Sequence, residues 1–119
     1  MKTYTFVKPD PNLQDNLMAF GFDCGEGWAV LLEELCDKIQ DVINKRPQKY
    51  RSFEFLQVKE KFGTLRVYTN FVDKKIDKLI TEYEKKSETV CEICGRDGKL
   101  IERHNWWKTV CEDHKDFYG

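Results

Sequence analysis

The sequence has almost no surplus of one charge: 20 Lys and Arg stand against 21 Asp and Glu, for a net charge of −1. A protein that coats nucleic acid nonspecifically carries a strong positive excess, so that role is excluded for the chain as a whole. A local basic patch is not. Long apolar runs are also missing. The longest spans residues 28–32 (WAVLL), where a membrane-spanning helix needs about 20 residues. No basic segment followed by an apolar stretch opens the chain, so the expectation is a cytoplasmic protein with neither export nor a membrane span. There is no internal repeat and no low-complexity segment. Five cysteines cannot all pair as disulfides, and reduced cytosolic thiols suit a metal better.

What is present in quantity is apolar and aromatic residues, 40% and 13% of the 119. That suffices for one modest core with a small appendage, and argues against wholesale disorder. The strongest motif lies in the last third. Cys91-Glu92-Ile93-Cys94 is followed after 16 residues by Cys111-Glu112-Asp113-His114. Each half places two ligands three positions apart, so one short turn aims both at a single ion. Two such halves close the tetrahedron that Zn²⁺ takes with thiolate and imidazole. Cys91, Cys94, Cys111 and His114 are therefore expected to bind a structural zinc. A four-ligand site leaves no vacant position for water or substrate, which argues against catalytic zinc.

The hydrophobic pattern organises the rest. Residues 3–7 (TYTFV) have strand-like content, and 12–22 are ambiguous between a helical turn and coil. Trp28, Leu31, Leu32, Leu35, Ile39, Val42 and Ile43 recur at helical spacing, which predicts the main core helix over 26–44. Asp23 and Glu26 resemble its capping box. Residues 52–70 read as a β-hairpin reversing at Gly63, with Leu65, Val67 and Thr69 on one face. A second helix follows over 73–87, capped by Asp73 and buried along Ile76, Leu79, Ile80 and Tyr83. It runs without a linker into Cys91. Gly95 suits a knuckle, residues 99–102 and 107–110 suit two short strands, and Cys111 to His114 suits a helical turn. The expected architecture is α+β: a core over 1–88 with a hairpin-centred sheet, and a docked treble-clef zinc module over 89–119. A chain segment that small needs its metal, worth on the order of 10 kcal/mol, to hold a hairpin.

Other candidates are each ambiguous. Lys45, Arg46, Lys49 and Arg51 form the densest basic run, either a solvated connector or a contact to phosphate or an acidic partner. Trp106 and Trp107, flanked by Arg103, His104, Asn105 and Lys108, are either packed internally or exposed to anchor a protein or stack a base. His104 is a rival metal ligand or a loop residue. Cys36 reads as a buried hydrophobe. Cys24 at a helix start is either structural or a reactive thiol. The turn at Gly25 and Gly27 is either a seat for Trp28 or an anion site. Zinc deaminases need a His-x-Glu ahead of Pro-Cys-x-x-Cys, and here both histidines lie downstream with no such proline.

The run Val58-Lys59-Glu60-Lys61-Phe62-Gly63-Thr64-Leu65-Arg66-Val67-Tyr68, the stretch Cys24-Gly25-Glu26-Gly27-Trp28 and the Cys91–His114 ending together resemble a group of small phage, prophage and bacterial proteins. The resemblance covers most of residues 20–114. It implies a phage or mobile-element setting and the host cytoplasm, and brings no functional residues beyond the ligand pattern. The reading is a non-enzymatic, zinc-stabilised interaction protein that binds a host protein, such as a defence or gene-expression factor. The alternative is a nucleic-acid-binding zinc finger using Lys45, Arg46, Lys49, Arg51, Arg103 and Lys108. A weaker alternative is a sponge for a small anion at the Gly25–Gly27 turn.

Overall fold

The structure is a computed structural model that describes residues 3–7 and 22–117. In these residues it is α+β. A single 3₁₀ turn, Glu26–Trp28, leads into helix α1 (Ala29–Lys45). Strands β1 (Phe55–Lys61) and β2 (Thr64–Thr69) form one antiparallel hairpin, helix α2 (Lys74–Lys86) follows, and β3 (Lys99–Arg103) pairs with β4 (Trp106–Val110) in a second. No described helix is long and apolar enough to cross a membrane.

The core lies where α1, α2 and the first hairpin meet. Trp28, Leu32, Leu35, Ile39, Leu65, Val58 and Ile76 are buried there with Phe6 and Tyr83. The helical stripe predicted for α1 is thus the buried face, and Cys36 belongs to it. In α2 the Asp73 carboxylate accepts from the Ile76 N–H at 3.1 Å, the expected N-cap. Burial pushes the Asp73 carboxyl upward in pKa. The Ile76 N–H, the Tyr50 hydroxyl at 3.0 Å and Lys49 outweigh this and hold it below the usual range.

A two-stranded sheet leaves its edges exposed, and here α2 covers one of them. The N–H groups of Leu65 and Val67 donate to Ser87 Oγ and Glu84 Oε2, each at 2.9 Å. The hairpin reverses through Phe62 and Gly63, with φ of +53° and +83°. Positive φ at both central residues of a two-residue loop matches the natural twist of the flanking strands.

Three expectations differ from the structure. Residues 3–7 form a turn, not a strand: the Val7 N–H reaches Tyr4 O, and one bond, Phe55 N–H to Phe6 O, ties the segment to β1. Tyr4, Phe6 and Val7 are all buried, a pattern that strict alternation does not allow. The α-helix begins at Ala29, and Asp23 and Glu26 form no capping box. Asp23 instead makes a parallel bridge to Lys59, its backbone bonded to Val58 O and Glu60 N. The ambiguous 12–22 stretch, apart from Phe22, lies outside the described residues.

Candidate metal centre and the surface beside it

The chain leaves α2 through a 3₁₀ turn, Ser87–Thr89, and passes directly into Cys91. Two backbone bonds close the knuckle, Gly95 N–H to Cys91 O at 2.9 Å and Cys91 N–H to Arg96 O at 2.7 Å. Gly95 takes φ +83°, which a side chain would strain. After the β3–β4 hairpin, Cys111 stands before the 3₁₀ turn Glu112–His114, and the His114 N–H returns to Cys111 O at 3.1 Å. Both halves of the motif are thus single tight turns, as their spacing requires.

These turns bring the four candidate ligands together. One donor atom from each of Cys91, Cys94, Cys111 and His114 lies within 4.8 Å of all the others. Cys94 and Cys111 Sγ are 3.6 Å apart, and His114 Nδ1 lies 3.7 Å from Cys91 Sγ and 3.2 Å from Cys111 Sγ. A tetrahedron built on Zn–S of about 2.3 Å and Zn–N of about 2.0 Å has S···S edges of about 3.8 Å and S···N edges of about 3.5 Å. The donor set fits one such ion, and all three thiols are free of disulfides. Hydrogen bonding from the Arg96 backbone N–H, against the cost of burial, brings the Cys94 thiol down to about 6. It is then largely thiolate at neutral pH, the state a metal requires. Burial raises Cys111 instead. Outside the cluster, an exposed Arg96–Asp113 ion pair at 2.8 Å joins the two ligand-bearing turns.

The lobe around this cluster has a very small apolar core: Cys91, Val110, Cys111 and Phe117, with Ile101 against them. It is nevertheless fastened to the rest of the chain. Trp28, fully buried, donates its indole N–H to Val90 O at 2.9 Å. The Gly27 N–H donates to Glu92 O at 2.7 Å, and the Gly25 N–H to Glu92 Oε2 at 2.9 Å. Glu92 Oε1 faces Lys108 Nζ at 3.0 Å as an ion pair, without the geometry of a directed hydrogen bond. A Cβ on Gly27 would lie 2.2 Å from Cys91 O, so only glycine permits this approach. The Gly25–Gly27 turn therefore does hold an anionic group, and that group is the protein's own Glu92. The amides of Gly25 and Gly27 are both taken by Glu92.

The tip of the first hairpin meets the second. Thr109 Oγ1 donates to Gly63 O at 2.8 Å, and a Cβ on Gly63 would come within 2.8 Å of Lys108 N. The second hairpin turns through His104 and Asn105, with φ of +54° and +64°. His104 is thus an exposed turn residue outside the ligand cluster. Trp106 and Trp107 retain 49% and 41% of their accessible surface, so neither is packed away. With Glu60, Phe62 and Asn105 they line a cleft of about 300 Å³ between the two turns.

The remaining candidates are dispersed. Arg103 pairs with Asp116 at 2.8 Å, and Lys108 with Glu92. Lys45, Arg46, Lys49 and Arg51 are exposed, but they precede the open end of the first hairpin, where Lys49 meets Asp73 at 3.4 Å. The tryptophans lie beside its tip, roughly 20 Å away along the strands. Cys24 is not an activated thiol: burial, aided by Glu92, Asp23 and Glu60, pushes it up to about 12. Burial likewise pushes Cys36 up to about 12.

Two residues escaped the sequence reading. Glu92 occupies a middle position of the first Cys-x-x-Cys, which ordinarily faces solvent, and nothing in the pattern marks it as buried. Phe62 had a signal: a two-residue reversal at Phe62-Gly63 puts that ring outside the sheet. Comparison with protein-family models, with curated proteins and with solved structures gave no match for this chain.

Proposed function

We propose that this protein is a non-enzymatic interaction module, stabilised by one structural zinc in a treble-clef-type lobe, that binds a protein partner through the face formed by Phe62, Trp106 and Trp107. The observation that carries this reading is the exposure of two adjacent tryptophans beside an exposed phenylalanine, around a cleft framed by two tight turns. Exposed large aromatics next to a concavity are what binding hot spots are made of. The frame is rigid if the metal is bound, because four ligands and the Glu92 clasp fix the second hairpin against the core. A complete ligand set leaves the metal no position for chemistry. In the phage-type setting that the sequence resemblance implies, the partner is a host cytoplasmic protein.

The arrangement favours protein over nucleic acid. A strand stacked on Trp106 or Trp107 needs cations beside it. Arg103 and Lys108 are already paired, and the dense basic run lies at the far end of the hairpin. Affinity capture from host cells, followed by mass spectrometry, tests the reading. A defined protein should be retained by the wild type and lost from Trp106→Ala and Trp107→Ala, and kept when Lys45, Arg46, Lys49 and Arg51 are neutralised together. Retention that survives both tryptophan changes and falls steeply with salt contradicts it.

A further inference from the structure

The geometry points to an arginine side chain, carried on a basic segment of the partner, as the group that enters the cleft between the two hairpin turns. This inference rests on the protein-binding role proposed above and specifies its chemistry. Among the described residues, three of the five that line the cleft are aromatic, and the one charged residue is Glu60. Aromatic faces attract cations through their negative π-clouds, tryptophan most strongly. A guanidinium is planar, weakly hydrated and able to stack while pairing with a carboxylate, so it suits such a lining better than an ammonium.

Glu60 is set up for this task. Its Oε2 accepts the Gly63 N–H at 2.7 Å, which anchors the carboxylate at the base of the turn. A carboxylate has roughly four acceptor positions, so one such bond leaves others for a ligand. Among the described residues, no Lys or Arg lines the cleft. Lys61 places its Nζ 5.7 Å from the centroid of the Phe62 ring. That side chain is exposed and flexible, so an incoming guanidinium can displace it.

The two-residue turn holds Phe62 at φ +53° and directs its ring away from the sheet, so that 66% of the residue stays exposed beside the cleft. A negatively charged cleft also disfavours the phosphates of a nucleic acid, whatever its bases do.

The test is an NMR titration of the full-length, metal-loaded protein with the peptide acetyl-Gly-Arg-Gly-amide. Parallel titrations use the same peptide with citrulline or lysine in place of arginine, and a ten-residue oligothymidylate. Saturable shifts are expected at the indole N–H signals of Trp106 and Trp107 and at the amides of Glu60 and Phe62. The buried Trp28 indole serves as an internal control and should not move. Citrulline, isosteric but uncharged, should give no saturable shift, and lysine should bind more weakly. Glu60→Gln, which keeps an oxygen for the Gly63 N–H, should weaken the arginine peptide about threefold or more. Lys61→Gln should leave binding unchanged or tighter. Equal response to citrulline, no effect of Glu60→Gln, or shifts at these signals with oligothymidylate alone overturns the inference. A partner captured in a tryptophan-dependent way, with no basic segment at the contact, also overturns it while leaving the protein-binding role intact.

Discussion

Replacing Glu92 with alanine isolates the joint between the metal lobe and the core. The side chain is 5% exposed and serves two groups at once, the Gly25 N–H at 2.9 Å and Lys108 Nζ at 3.0 Å. Removing one member of a buried ion pair costs about 3–5 kcal/mol, because the other charge is left without compensation. Lys108 keeps 24% of its side-chain surface and can turn partly to water, which places the loss at the lower end, about 3 kcal/mol. The orphaned Gly25 N–H keeps it from falling much further. For a chain of this size that corresponds to a fall in Tm of about 10 °C. Urea unfolding followed by Trp28 fluorescence measures it, since the Trp28 indole bonds to Val90 at the same joint. Glu92→Gln retains an oxygen for Gly25 and loses only the charge, so its cost should be about half as large. In the double variant Glu92→Ala/Lys108→Ala, the losses should sum to less than the two singles. A loss below about 1 kcal/mol for Glu92→Ala would refute the claim that this carboxylate clasps the two parts together.

Gly27→Ala should cost about 3 kcal/mol or more in the same assay, because its Cβ would fall 2.2 Å from Cys91 O, a backbone atom that cannot turn aside. In metal-stripped protein, the opened lobe should let iodoacetamide modify Cys91, Cys94 and Cys111 before Cys24 and Cys36, whose thiols burial in the core pushes up to about 12. Mass spectrometry of the digested protein reads the order of modification. Asp73→Ala should lose the α2 cap and leave the Tyr50 hydroxyl unpaired, costing about 2 kcal/mol near neutral pH. The Asp73 carboxyl is depressed in the folded state, so its contribution is complete above the unfolded-state value of about 4 and disappears as pH falls through the lower folded value. The gap between wild type and Asp73→Ala, followed by thermal unfolding, should therefore narrow in acid.

Local patterns were legible in the sequence wherever one face or one turn decided the structure. The α1 and α2 stripes, the Asp73 cap, the reversal at Gly63 and the knuckle at Gly95 all follow from spacing and conformational preference alone. The four candidate ligands could be grouped because two tight turns leave little choice about where their side chains point. Long-range pairings were not legible. Asp23 looked like a capping residue because no local rule shows that Lys59 will claim its backbone. The Gly25–Gly27 turn looked like an anion site, and the anion proved to be Glu92, 67 positions from Gly25 in the chain. Residues 3–7 have the composition of a strand, yet only one bond reaches β1, and burial of Tyr4, Phe6 and Val7 takes precedence. Exposure of both tryptophans depends on how two hairpin tips meet, which no single segment encodes.

The central claim is that Cys91, Cys94, Cys111 and His114 hold one metal ion and that this ion maintains the lobe carrying Trp106 and Trp107. Native mass spectrometry of the protein, purified without chelator, addresses it most directly when paired with elemental analysis. One zinc per chain is predicted, lost in Cys111→Ser, together with collapse of the dispersed NMR signals of residues 91–117 when the ion is stripped. A chain that carries no tightly held metal, or whose lobe signals are unchanged after stripping, would contradict the account.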